Sequence, residues 1–217
     1  MNLEVKNKSA YIENLYWRYA TKKFNTAKEV QEKDFEKILE SLQLSASSYG
    51  LQPYEIFVIK DQETREKLRT AAWNQSQITD SSYLIVFANY SKIEESHIDN
   101  YLDNIAKTRK KSREDLAGME KMLKNTILAM SAEEQQIWAS KQTYIALGNL
   151  LSATANFRID ACPMEGFDNK LFDEILGLDK MNLTSSVIAT IGYRSEDDLL
   201  QYQEKVRKNR ADLFHFI

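Results

Sequence analysis

Cations spaced to meet an anion stand near both ends of the chain. Arg18-Tyr19-Ala20-Thr21-Lys22-Lys23-Phe24 sets Arg18 and Lys22 on either side of the small Ala20. In an extended segment alternate residues share a face, so Arg18, Ala20 and Lys22 would point together. A guanidinium grips a phosphate through paired N–H donors, and an ammonium adds a point charge. Glu204-Lys205-Val206-Arg207-Lys208-Asn209-Arg210 repeats the arrangement, with Lys205 and Arg207 on one face if the tail is extended. Taken singly, each run reads more simply as a solvated basic turn or a solubilising tail.

Two polar segments lie between them. Ser45-Ala46-Ser47-Ser48-Tyr49-Gly50-Leu51-Gln52-Pro53-Tyr54 follows a helical pattern and precedes a strand pattern. Its hydroxyls, its flexible glycine and its pre-proline residue make a shaped polar loop. In Pro163-Met164-Glu165-Gly166-Phe167 the proline fixes φ and removes a donor, and the glycine permits a close backbone approach to a flat ligand. Alone, either segment is an ordinary connection between elements.

Much chemistry is excluded. The six glycines stand at 50, 118, 148, 166, 177 and 192, so there is no G-x-G-x-x-G and no P-loop. A nucleotide would have to be held by side-chain cations and scattered amides. A single cysteine, Cys162, excludes an internal disulfide and any multi-cysteine metal site. Two histidines, His97 and His215, exclude a dense imidazole metal site and argue against a Ser-His-Asp hydrolase. No metal is expected. Lys+Arg 29 against Asp+Glu 32 leaves a net charge of -3, with no global attraction to nucleic acid or anionic lipid. The N-terminus lacks an apolar h-region, and the longest apolar run, 83–88, is far short of a membrane span. The expectation is a soluble protein of the reducing cytoplasm, with no nucleic-acid or membrane partner.

The positioning elements follow from periodicity. Phe35, Ile38, Leu39 and Leu42 mark one buried face of a helix over 34–44. Further helices are expected over 61–72, 93–111, 114–130, 131–157 and 168–176. Ser131 and Glu134 form a capping box at the start of the long one, whose stretch 144–155 is apolar enough to be buried on most sides. The charge-rich 93–130 region reads as exposed helices or a mobile cover. Strands are expected at 55–59, 83–88 and 186–193, with one more at 159–162 before Pro163. Few glycines and prolines disfavour an all-β fold. At 217 residues, without linker or repeat, the chain reads as one α+β domain over 1–217.

The four segments, in this order and across nearly the whole chain, resemble the nitroreductase family of flavoenzymes, close to the oxygen-insensitive NAD(P)H nitroreductases. R-x-x-T-x-x-F, S-S-x-x-x-Q-P, P-x-E-G-F and a late K-x-R look like the family's landmarks. The resemblance implies an antiparallel central sheet surrounded by helices, in an FMN-dependent homodimer with two shared sites. A C-terminal extension, here about 195–217, would be exchanged in the dimer, and 93–130 would cover the substrate site. It implies ping-pong chemistry, with NADH or NADPH as transient donor and a nitroaromatic, quinone or similar small acceptor. No side chain would act as acid or base; flavin N5 would carry the hydride.

Carried over by position, Arg18, Lys205 and Arg207 would bind the FMN phosphate, with backbone contacts from Tyr19 and Ala20. Lys22 would tune the N1/O2 edge, where positive charge stabilises reduced flavin. Asn74 would meet the pyrimidine edge, Pro163 a ring face, and the amides of Glu165 and Gly166 the N5 and O4 side. Ser47, Ser48 and Gly50 would come from the partner, and Gln142 would lie near the ribityl chain. Ala20 replaces a common serine, Gly50 a frequent asparagine, and Gln77 a second flavin-edge lysine. Arg158 replaces a helix-end glycine, so a different helix end is expected there. The runner-up reading is a non-catalytic flavin-binding protein, for storage or sensing.

Overall fold

Short β-branched and aromatic runs bounded by polar turns make the sheet. In the computed structural model, which describes residues 9–217, the strands are β1 (Tyr54–Ile59), β2 (Tyr83–Tyr90), β3 (Asp160–Met164) and β4 (Leu183–Gly192). They pair antiparallel in the order β1-β2-β4-β3. The two central strands are buried on both faces, so they read as near-continuous apolar runs. Alternate residues feed two cores. Ile85, Phe87, Val187 and Ala189 face one; Leu84, Val86, Cys162 and Ile188 face the other.

The helices are α1 (Ala10–Trp17), α2 (Glu32–Gln43), α3 (Gln62–Ala71), α4 (Gln77–Asp80), α5 (Glu95–Arg109), α6 (Ala117–Ile127), α7 (Ala132–Asn156), α8 (Asn169–Leu176) and α9 (Arg210–Leu213). Phe35, Ile38 and Leu42 of α2 are buried in the first core, as their spacing requires. The capping box of α7 forms: Glu134 N–H donates to Ser131 Oγ, and Ser131 N–H donates to the Glu134 carboxylate. Among the described residues no helix is long and apolar enough to cross a membrane. No group of His, Cys, Asp or Glu among them is arranged to hold a metal ion.

The sequence expectations differ from this structure in four places. β3 runs through Pro163 instead of stopping before it, because β3 is an edge strand and needs no ladder donor there. α7 is not covered on most sides. Ile137, Tyr144, Ile145 and Gly148 form an exposed stripe along it. The 93–130 region has a core of its own, with Ile98, Leu102, Ile105, Leu123 and Ile127 buried between α5 and α6. Its charges are largely used outside that core, where Arg113 and Lys124 pair with Glu95, Asp99, Asp103 and Glu120. Arg158 adopts the left-handed cap expected of glycine, at φ 56°. Its guanidinium lies 5.0 Å from the Trp17 ring centre, a cation–π contact that helps to hold the cap.

One buried carboxylate joins the two ends of the described chain. Asp198 Oδ2 accepts from the N–H groups of Lys22 (2.7 Å) and Lys23 (3.1 Å) and from the Tyr19 hydroxyl (2.9 Å). Burial pushes the Asp198 carboxyl up, but these donors outweigh it and the net displacement is downward. A carboxylate held below its ordinary value stabilises the fold above pH ~4, and that stability is lost as pH falls through the folded value. Asp198→Asn should therefore cost about 1.5–3 kcal/mol at neutral pH. Urea midpoints measured across the acid range should show the two proteins converging as the wild-type carboxylate protonates. A gap of constant size would refute the assignment.

Candidate functional site

The basic segment after α1 is extended, as its alternation requires. Ala20 bridges in parallel to Ala161 of β3, and Phe24 bridges to Arg194. Arg18 and Lys22 consequently face the same strand. Lys22 Nζ lies 3.8 Å from Cys162 Sγ, and Arg18 is coupled electrostatically to the same thiol. Burial pushes the Cys162 thiol up against the opposing pull of Lys22, Gln77 and Arg18. Gln77, itself buried at the start of α4, is among the groups that act on that thiol.

The tail returns to this point. Lys205 Nζ donates to the Arg18 carbonyl. Burial and then Arg207 push the Arg18 guanidinium down; burial and then Arg18, Arg207 and Arg194 push the Lys205 ammonium down. Beyond burial, each displacement carries a contribution from neighbouring positive charge. Among the described residues no carboxylate pairs with Arg18, Lys22, Lys205 or Arg207. Asp198 is committed to backbone N–H groups and Tyr19, and Asp160 to Arg194 at 2.6 Å. A cluster of half-exposed cations without counter-charge is what a phosphate monoester would relieve.

A second set of predicted residues stands on the same side of the sheet. Trp73 and Asn74 are consecutive left-handed residues, at φ 53° and 58°. Asparagine tolerates this region; tryptophan does so only under constraint. The constraint is a double link between Arg69 and Asn74: Asn74 N–H donates to the Arg69 carbonyl at 3.0 Å, and Arg69 Nε donates to the Asn74 carbonyl at 3.3 Å. The Asn74 side chain projects outward without a hydrogen bond among the described residues. Gly166 lies against the Trp73 indole so closely that a Cβ would sit 2.7 Å from the ring. The flat group at this glycine is therefore the chain's own tryptophan. Gln75 Nε2 donates to the Gly166 carbonyl at 2.7 Å, and the Tyr144 hydroxyl donates to Glu165 Oε1 at 2.6 Å. Burial and then Glu165 push the Tyr144 phenol up to about 12. The turn's own carbonyls and the N–H groups of Phe167 and Asp168 are engaged, whereas the N–H groups of Glu165 and Gly166 donate to nothing in the turn.

The remaining predicted residues form a separate group. Ser48 N–H donates to Gln142 Oε1 at 2.8 Å, and Ser47 Oγ accepts from Gln52 N–H at 2.8 Å. The other end of the Gln142 amide donates to the Trp138 carbonyl. Gln142 thus stands with Ser47, Ser48 and Gly50, and each end of its amide makes a hydrogen bond there. On α7, Gln142 and Tyr144 project about 200° apart. The 47–50 loop and the 165–166 turn lie against opposite flanks of that helix.

Sequence reasoning missed Asp198, Trp73 and Tyr144, none of which carries a local signal. A cavity of about 520 Å³ lies elsewhere, lined by Lys28, Lys60, Arg65 and Asp80. Its buried Arg65 donates to the Ile78 carbonyl and to Ser81, so that charge serves the fold.

Comparison with known proteins agrees with this architecture. The sequence model of the nitroreductase family matches residues 15–193. A protein of Staphylococcus haemolyticus named for NAD(P)H nitroreductase activity is 37% identical over 212 residues, spanning 93% of this chain and 94% of its own. YfkO of Bacillus subtilis, similarly named, is 36% identical over 202 residues, spanning 88% of this chain and 91% of its own. The crystal structure of an Exiguobacterium sibiricum nitroreductase in complex with FMN superposes with a TM-score of 0.83 at 19% identity, covering 98% of this chain and 99% of that one. With most of its length matched in sequence and its sheet and helices matched in space, the chain belongs to the nitroreductase family.

Proposed function

We propose that this chain is an FMN-dependent oxidoreductase that takes electrons from NADH or NADPH and reduces nitroaromatics, quinones or similar small acceptors. The observation that carries this reading is the convergence of Arg18, Lys205 and Arg207, from opposite ends of the chain, without a carboxylate partner. The donor set fits FMN. The three cations would hold the phosphate, with Tyr19 and Ala20 supplying backbone. Lys22 and Gln77, both against Cys162, would flank the pyrimidine edge together with the unpaired Asn74 amide. Pro163 would meet a ring face, and the disengaged amides of Glu165 and Gly166 would face its hydrogen-bonding edge. Bound there, FMN supplies two-electron hydride chemistry, alternating between donor and acceptor. The chain's own part is to bind, orient and tune: cations anchor one end, Lys22 sets the charge at the other, and no side chain need shuttle a proton.

The reading includes a homodimer. Ser47, Ser48 and Gly50 lean on one flank of α7 and the 165–166 turn on the other, which supports a pocket completed by a second copy. A second copy would present its 47–50 loop to this chain's cations and complete each site, with Gln142 holding that loop from behind. The exposed apolar stripe Ile137, Tyr144 and Ile145, with Tyr11, Ile12 and Leu15 of α1, is surface that such a partner would cover. The solvent-exposed Phe214, Phe216 and Ile217 suit a tail that crosses to the other subunit.

The decisive experiment is an anaerobic titration. The purified protein should be yellow, bleach on addition of NADH or NADPH, and recolour with a quinone or nitroaromatic. A flavin that neither donor bleaches would select the storage or sensing role instead. Arg207→Ala should weaken FMN retention by about 1.5–3 kcal/mol, roughly 10- to 150-fold in dissociation constant; full FMN occupancy with an unchanged off-rate would remove the tail from the site. Gln77→Lys should raise the flavin midpoint potential, since a further cation near the pyrimidine edge favours the reduced, anionic form. A redox titration that finds the same midpoint in both proteins would reject that role for position 77.

A further inference from the structure

The 47–50 loop is held from two sides, and only one of them is accounted for by Gln142. On the other side stands Tyr101 of α5. Its hydroxyl donates to the Tyr49 carbonyl at 2.6 Å. A Cβ placed on Gly50 would lie 2.6 Å from the same Tyr101 oxygen and 3.5 Å from Cζ. The phenol therefore occupies the volume that a side chain at position 50 would take. The backbone here needs such a restraint. Tyr49 is left-handed at φ 58°, Gly50 follows at φ 76°, and Gln52 is again left-handed at φ 46°. A non-glycine residue in this region keeps its conformation only where its surroundings impose it. Tyr49 has two restraints: the hydrogen bond from Tyr101, and its ring set 6.3 Å from that of Trp138.

α5 is supported separately from the sheet. It packs with α6 around Ile98, Leu102, Ile105, Leu123 and Ile127, apart from the two sheet cores, and Tyr101, Leu51 and Trp138 lean on the edge of that cluster. Arg113 and Lys124 clamp it from outside. We propose that Tyr101 is a positioning residue of the flavin site, the latch by which the α5–α6 cover holds the 47–50 loop in the shape it offers to FMN. The inference rests on the FMN reading above and adds a residue and a coupling to it. The loop's geometry follows the position of α5. A molecule lodged beneath the cover and the FMN held by the loop then influence each other's affinity, and reciprocally.

A size-swap experiment tests the latch, read as the FMN dissociation rate by flavin fluorescence and as the melting temperature of the flavin-free protein. Tyr101→Phe keeps the ring and removes the hydroxyl; it should release FMN ~5-fold faster, the value of one hydrogen bond, with little change in apoprotein melting. Gly50→Asn, chosen because asparagine accepts the left-handed region, should accelerate FMN loss in the wild-type background. In the Tyr101→Ala background, where the space is open, the same substitution should be tolerated or should partly restore retention. An unchanged off-rate in Tyr101→Phe, or an equal penalty for Gly50→Asn in both backgrounds, would overturn the latch while leaving the flavin site intact. Melting that falls in step with FMN retention in every variant would make Tyr101 a merely structural residue. A wild-type protein that takes up no FMN would overturn both this inference and the functional reading.

Discussion

The arrangement of the site depends on a single acceptor oxygen. Asp198 Oδ2 collects the N–H groups of Lys22 and Lys23 and the Tyr19 hydroxyl, and so fixes a basic strand against a segment from the far end of the chain. Like charges would otherwise keep these segments apart. Arg18, Lys205 and Arg207 repel one another, and burial first, then this crowding, lowers the proton affinity of both Arg18 and Lys205. The carboxylate offsets that repulsion without neutralising the cluster, because its oxygens are directed at backbone donors and a phenol. The result is a concentration of positive charge that is mechanically secured and electrostatically unsatisfied.

Helix α7 then imposes the second constraint. It is long enough to run past the whole sheet, and residues two apart on it address opposite surroundings. Tyr144 steadies the turn beside the cations, while Gln142 steadies a loop that faces away from them. On the proposed reading, a chain with this divider would hold two half-sites. The same helix bares an apolar stripe in the isolated chain, so the geometry that splits the site also supplies surface on which two chains could meet.

What was legible in the sequence is what local physics decides. The spacing of Phe35, Ile38 and Leu42 fixed the buried face of α2, and Ser131 with Glu134 fixed the start of α7. The alternation of Arg18, Ala20 and Lys22 placed both cations on one side of an extended segment. The remainder depends on distant partners. Asp198 lies 176 positions from Lys22, so nothing near it in sequence reveals its task. Pro163 is tolerated within β3 only because that strand lies at the sheet edge, a fact of topology. Arg158 takes a conformation that suits glycine because Trp17 happens to lie beneath it. The left-handed pair at Trp73 and Asn74 is invisible in a propensity scale, since it is set by Arg69 and by the close fit to Gly166.

The distribution of the indole rings has a practical consequence. The chain has three tryptophans. Trp17 lies 4.3 Å from the Arg194 guanidinium, next in sequence to Arg18; Trp73 rests on Gly166; Trp138 adjoins Tyr49. Each therefore reports on a different part of the same region: the cationic anchor, the turn beside it, and the loop on the far side of α7. The molecule is wired with intrinsic emitters, and ultraviolet emission, resolved by lifetime or by single replacement of each ring, can follow local change at each of these three places without any attached dye.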